Sequence, residues 1–376
     1  MQATSAQTSL HQGRPRPPTG GAAVIGWLKQ NLFAGWRSTS LTLIGLGIVF
    51  LIGGQVLDWA LWRAVFTGED GSVCRAPGAG ACWPFVTAKL QLFMYGRYPT
   101  EELWRVNLTY LLALAGLVPL MVPRVPGKLW LILYMLLVFP VVGYVLLTGS
   151  EWLGLPVVST ELWGGLLVTL VVACVSIAIS FPLAVLLALA RRSDLPLIRW
   201  AAIIFIEFVR GVPLVMVLFF SSVMLPLFLP EGMSFDKLMR ALIGVALFSA
   251  AYLAEVIRGG LQAIPRGQYE AADALGLSYP KKMGLIILPQ ALRLVIPGIV
   301  NSFIALFKDT SLVLIIGLFD LLGIVQQSVA ADAKWFSPQT AATGYVFAAF
   351  VFWSFCFGMS RYSAWLERRL GGGGRA

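Results

Sequence analysis

The chain has 376 residues, 58% of them hydrophobic and 12% charged, with a formal net charge of +10. That is too apolar for a water-soluble domain, and several runs approach the ~20 residues that cross a bilayer as a helix, so the class is an all-α polytopic membrane protein. The basic balance does not point to nucleic acid, because no Arg-rich face is present; the one histidine, His11, sits in a polar tail and leaves no basis for histidine catalysis or the usual metal sites.

Residues 1–38 are polar, carry Arg14, Arg16, Lys29 and Arg37, and lack an apolar core followed by a small-residue cleavage site; they read as a disordered cytoplasmic tail. A first span is expected at about 40–62, ending among Trp59 and Trp62, the residue type that favours a membrane interface. The loop that follows, 63–102, mixes Glu69, Asp70, Arg75, Lys89 and Arg97 with Gly and Pro, shows no long amphipathic repeat, and is assigned to the outside. Cys74 and Cys82 lie in it, close enough to bridge if that face is oxidising, whereas Cys174 and Cys356 fall inside apolar spans as packing residues. Spans at about 103–121 and 129–147 flank a tight basic turn holding Arg124 and Lys128, so 39–160 forms an N-terminal unit of three helices.

A fourth span starts near residue 162 and ends at Arg191 and Arg192. The stretch 195–229 is longer than one ~30 Å crossing needs and should break around Gly211 and Pro213. The sixth span, about 242–257, repeats Ala246, Ala250 and Ala254 at four-residue intervals, a stripe that admits a close helix neighbour. A seventh, about 291–316, contains Pro297; an eighth, about 343–362, runs into Arg361, Arg368 and Arg369 before a tail at 370–376. Eight spans with both ends inside put most of the 28 Lys and Arg on cytoplasmic segments, as positive-inside bias requires.

Between the sixth and seventh spans lies a polar island, PRGQYEAADALGLSYPKKMGLIILP, from Pro265 to Pro289. Good helix formers predict a helix over 268–275, with Glu270 in its first turn, Gly276 as a left-handed cap and Pro280 preventing continuation. Two turns are too few to stand alone, so this helix, displaying Ala271, Ala272 and Ala274, must dock into something. Its spacing is Glu270-Ala271-Ala272, three residues, Gly276, nine residues, then Ile286, Leu288 and Pro289.

That spacing resembles the EAA loop of the membrane subunits of ATP-binding-cassette (ABC) importers. The flanking words AYLAEVIRGGLQAIPRGQYEAADALG and LPQALRLVIPGIVNSFIALFKDTSLVLIIG resemble the polar-amino-acid branch, over roughly 162–369. The resemblance implies a type I ABC importer permease core at 161–369, built from the last five helices, with its cytoplasmic EAA loop at 259–289. It implies separate ABC ATPase subunits that carry ATP-Mg and engage Glu270, Ala271, Ala272, Gly276, Leu288 and Pro289. It also implies a second permease subunit, identical or paralogous, an extracytoplasmic amino-acid-binding protein, a bacterial inner-membrane location, and alternating-access import of polar or general L-amino acids. The chain itself is expected to bind no cofactor: no G-x-x-x-x-G-K-[ST] phosphate loop occurs, Gly127-Lys128 being followed by Leu129.

Ionisable residues within or beside spans are costly and so are candidates for function: Glu207, Arg210, Glu255, Lys308 and Asp309. Glu207 and Arg210, three apart, can simply neutralise each other; they also match the family's E-x-x-R-G-x-P words, with Val212 where Thr is more usual. Lys308-Asp309-Thr310-Ser311 interrupts an apolar helix as in the family's K-D-T-S-L. With Asn301 and Ser302 it offers a polar passage for a zwitterion, or hydrogen bonds between helices. Two other classes remain open: an ion-coupled secondary transporter of small polar solutes, which would not explain the EAA spacing, and an assembly subunit without a pathway.

Overall fold

The structure, a computed structural model, describes residues 21–371 apart from 231, 233 and 234. Seven helices among these are long and apolar enough to cross a membrane, and one bent pair brings the number of spans to as many as eight. Residues 1–20, with His11, Arg14 and Arg16, lie outside the description, as do 372–376 of the expected C-terminal tail.

The tail expected to lack structure through residue 38 instead contains helix α1 (Gly21–Asn31), because its residues from 21 onward are Ala- and Leu-bearing helix formers. The Asn31 side-chain amide donates to the Trp27 carbonyl at 2.8 Å, and Thr42 Oγ1 to that of Leu32 at 2.8 Å, fixing the turn into α2 (Trp36–Leu57). α2 continues as a π-turn to Trp62 and buries none of its residues against this chain.

The loop 63–102, which shows no long amphipathic repeat in sequence, nonetheless folds an α-helix, α3 (Trp83–Tyr95), between 3₁₀ turns at Val73–Arg75 and Thr100–Glu102. Pro84 occupies its first turn, where a missing N–H costs nothing, and Phe85, Val86 and Phe93 are buried. Lys89, the charge that makes this stretch look like loop, pairs with Asp332 at 2.6 Å. The preceding segment is tied to the same region: Gly71 N–H donates to the Lys334 carbonyl at 3.1 Å, Arg75 to that of Phe336 at 3.2 Å, and Cys82 N–H to Thr343 Oγ1 at 2.7 Å. Cys74 and Cys82 are joined in a disulfide with Cα atoms 5.6 Å apart. Closing so short a loop restricts the unfolded chain by about 2–3 kcal/mol. The double change Cys74→Ser with Cys82→Ser should therefore lower the thermal midpoint measured by tryptophan fluorescence in detergent. Equal midpoints would mean that the hydrogen bonds alone hold this loop.

Helices α4 (Leu103–Met121) and α5 (Lys128–Thr148) complete the N-terminal half. The centre of the molecule is α6 (Gly165–Ala190), packed along α9 (Lys237–Ala263). Ala246, Ala250 and Ala254 on α9 are at most 2% exposed, and α6 faces them with buried Ala173, Ser176, Ser180, Ala184 and Ala188. Small residues on both helices let the backbones approach.

Between these two run α7 (Pro196–Gly211) and α8 (Leu214–Phe228), bent by 108°. The bend follows from Pro213, which holds Val212 extended at φ −107°, ψ 136° and cannot donate to a continuing helix. After α9 come α10 (Arg266–Ala274), then α11 (residues 279–294, with a π-turn at Lys282–Ile287), then α12 (Ile296–Ile316), whose last turns from Thr310 tighten to 3₁₀. α13 (Leu321–Ala331) and α14 (Pro338–Gly371) close the bundle. Buried Ala184, Ala188, Ile257, Leu261, Met283 and Ile287 form one apolar cluster that seats α11 against the ends of α6 and α9. The α3 contacts lie at the other end of α6, about 39 Å away for 26 residues at ~1.5 Å each.

Candidate functional site

Helix α10 starts two residues before the sequence-based expectation, directly after Pro265 at φ −57°, ψ 142°. Glu270 is therefore in the second turn and outside the reach of the helix dipole's positive end, which corrects the first-turn assignment. At the other end Gly276 takes φ +69°, its N–H donating to the Asp273 carbonyl at 2.9 Å and that of Leu277 to the Ala272 carbonyl at 3.3 Å. These two bonds are the Schellman pair that satisfies the last carbonyls of a helix. Glu270, Ala271 and Ala274 face outward, but Ala272 is 1% exposed and packs inward, so it is not on display. Leu288 is half-buried and Pro289 exposed in the first turn of the helical segment Leu288–Leu294, behind a fully buried Ile287.

Side chains hold α10 in place. Tyr269 donates its hydroxyl hydrogen to the Leu261 carbonyl at 3.1 Å, and the Arg192 guanidinium donates to both the Tyr269 oxygen at 3.0 Å and the Leu261 carbonyl at 2.9 Å. The same guanidinium sits 5.4 Å over the Tyr269 ring. Lys282 meets Asp273 at 2.6 Å, and Gln290 donates to Gln268 at 3.1 Å. A cavity of about 410 Å³ opens beside Arg192, Gln262, Arg266, Tyr269 and Glu270.

A second cavity, about 360 Å³, lies between α6, α9 and α12. Its walls bring Asn301, Ser302 and Asp309 together with Ser180, Phe248, Ser249 and Tyr252. Asp309, half-buried, is the one ionisable carboxylate in the lining. Lys308 and Thr310 are not part of it. Lys308 is exposed elsewhere, and Thr310 is fully buried with its hydroxyl donating to the Phe307 carbonyl at 2.8 Å, because the helix tightens there and rotates it into the core. Sequence reasoning missed Ser180, Ser249 and Tyr252; the available signal was the polar Ser249 and Tyr252, three apart, in an apolar span.

Glu207 and Arg210 do not simply neutralise each other. They approach only to 4.0 Å, whereas Glu207 accepts Arg191 at 2.8 Å. Arg191 also meets Glu255 at 3.2 Å, and Glu255 accepts from Arg258 Nε at 2.9 Å. The result is a cluster of three guanidiniums and two carboxylates joining α6, α7 and α9. Neither Glu207 nor Arg210 lines the cavity, but Arg210 lies 5.7 Å over the Tyr252 ring, and the Tyr252 hydroxyl donates to the Arg210 carbonyl at 3.3 Å.

A multi-span helical bundle with a cavity between its spans, lined partly by polar side chains, and a capped, exposed helix at one end has the parts that a membrane component of a transport system needs. Residues 180–372 match the binding-protein-dependent transport system inner membrane component family, and the chain belongs to that family. It is 49% identical to the Escherichia coli inner membrane amino-acid ABC transporter permease protein YhdY, over 96% of this chain and 97% of that one. It is 38% identical to the glutamate/glutamine/aspartate/asparagine transport system permease protein BztC of Rhodobacter capsulatus, over 95% and 96% respectively. A shorter relative, the probable glutamine ABC transporter permease protein GlnP of Bacillus subtilis, is 35% identical over 55% of this chain and 93% of its own length. The N-terminal half is thus shared with full-length relatives such as YhdY.

Proposed function

We propose that the chain is a permease subunit of an ATP-driven importer of polar or general L-amino acids in a bacterial inner membrane, working by alternating access. The observation that carries this reading is α10: a nine-residue helix, closed by a Schellman cap and clipped by Arg192, that turns Glu270, Ala271 and Ala274 outward. Separate ABC ATPase subunits carrying ATP-Mg dock there, which puts α10 and both chain ends in the cytoplasm and the Cys74–Cys82 disulfide on the oxidising side. A second permease subunit and an extracytoplasmic amino-acid-binding protein complete the assembly, with lipid against the apolar flanks. The amino-acid class comes from the names of the relatives and agrees with a cavity whose single carboxylate, Asp309, suits an ammonium group, with hydroxyls and the Asn301 amide nearby.

The test is uptake of labelled amino acids by proteoliposomes holding the complete complex, with ATP on the α10 side. Uptake should require ATP there. A charge-assisted hydrogen bond contributes about 1.5–3 kcal/mol, so Asp309→Asn should lower uptake roughly tenfold or more while the complex still assembles. Uptake without ATP would favour an ion-coupled transporter, and an unchanged rate in the variant would remove the cavity from the pathway.

A further inference from the structure

Among the described residues, Arg192 makes the one side-chain hydrogen bond that ties α10 to a segment outside α9–α11. A helix this short takes its orientation from its attachments. Its other ties, Asp273 to Lys282 and Gln268 to Gln290, run to α11 and move with the loop itself. Arg192 instead lies in the turn that ends α6, and its chain neighbour is Arg191, the arginine that holds Glu207 on α7 and Glu255 on α9. Adjacent Cα atoms are fixed ~3.8 Å apart, so a displacement of one guanidinium's backbone displaces the other's.

From this cluster the contacts continue to the cavity: Glu207 neighbours Arg210, Arg210 covers the Tyr252 ring, and Tyr252 lines the cavity. Arg191 and Glu255 are only 20% and 22% exposed in their side chains, so separating them strands partly desolvated charges and costs more than parting a surface pair.

We propose that Arg192, Arg191 and Tyr269 are positioning residues that relay the docking state of α10 to the Tyr252 wall of the cavity, through Glu207, Glu255 and Arg210. This rests on the importer reading above. When the Arg192 contact is lost α10 keeps its Schellman cap and its ties to Lys282 and Gln290, so the ATPase still attaches; what the relay sets is how strongly an occupied permease stimulates ATP hydrolysis.

The experiment uses the complete complex in proteoliposomes and compares ATP hydrolysis with and without the substrate-loaded binding protein. In the unmodified complex, absence of both stimulation and uptake ends the importer reading and this proposal together. Given stimulation, Arg191→Gln and Tyr269→Phe should each reduce the stimulated-to-basal ratio at least tenfold, with the amount of co-purifying ATPase within twofold. Tyr269→Phe keeps the ring and its packing and removes only the hydroxyl that bonds Arg192 and Leu261, so it reports even if Arg191→Gln assembles poorly. The double variant should be no worse than the more severe single one, because both break one path. An unchanged ratio in Tyr269→Phe, or fully multiplying effects in the double variant, overturns the relay and leaves the importer reading standing.

Discussion

Gly276→Val is expected to abolish uptake while leaving the membrane bundle folded. At φ +69° the backbone is in the left-handed region, which disfavours an ordinary L residue by roughly 1–2 kcal/mol and a β-branched one by more. No atom lies within 4 Å of where a Cβ would stand, so the penalty is backbone strain alone and repacking cannot relieve it. The chain escapes by giving up the Gly276–Asp273 and Leu277–Ala272 bonds, each contributing about 1 kcal/mol, which frays the last turn of α10 and redirects the entry to α11. The smaller of the two costs, about 2 kcal/mol, sets the loss, so the population of correctly capped α10 falls by roughly thirtyfold. The check is co-purification of the ATPase alongside vesicle uptake, with Gly276→Asn as a control, because Asn tolerates the left-handed region better and should retain most activity. Full transport by Gly276→Val with a normally bound ATPase would reduce α10 to a connector.

What could be read from the sequence divides by how local the determining contacts are. The spans, the break at Pro213 and the left-handed Gly276 follow from apolar runs and from residues that restrict or free their own backbone, so they are visible without tertiary information. α3 was not, because Lys89 makes it look like loop and the carboxylate that explains Lys89 is Asp332, at the far end of the chain. The Arg191 cluster failed for the same reason. Arg191 reads as the end of a span and Glu207–Arg210 as a local pair, while Glu255, 64 residues from Arg191, supplies the second half of the arrangement. In the cavity, Asp309 and Thr310 are adjacent in sequence, yet one lines the wall and the other enters the core. The change from α to 3₁₀ pitch between them alters the angle per residue, and no apolar pattern announces it.

Gly165→Val should act in the opposite way from Gly276→Val, destroying the fold before function can be asked about. Both glycines have positive φ, here +61°, but a Cβ on Gly165 would stand 2.1 Å from the Phe93 carbonyl oxygen and 2.7 Å from its carbon. The obstacle is backbone that cannot swing aside as a side chain would. This junction is also where the N-terminal half is fastened to the transport core, Arg97 N–H donating to the Leu162 carbonyl at 2.9 Å, and within the core Gly165 N–H donates to the Phe319 carbonyl at 3.0 Å. Next to it, Asp320 caps α13 through the Gly323 N–H at 2.9 Å, and Leu321 N–H donates to Thr169 on α6 at 3.0 Å. Forcing α3 away costs about 1–3 kcal/mol in overpacking, 1–2 in left-handed strain and about 1 for each backbone bond lost. Against a total stability of about 5–15 kcal/mol for a folded domain, that removes from about a third to all of it. Size-exclusion of a fluorescent fusion from detergent extracts should show loss of the monodisperse peak for Gly165→Val, where Gly276→Val keeps it. A monodisperse Gly165→Val with an unchanged melting point would mean that α3 does not pack on the α6 terminus, and that the N-terminal half is held to the core elsewhere.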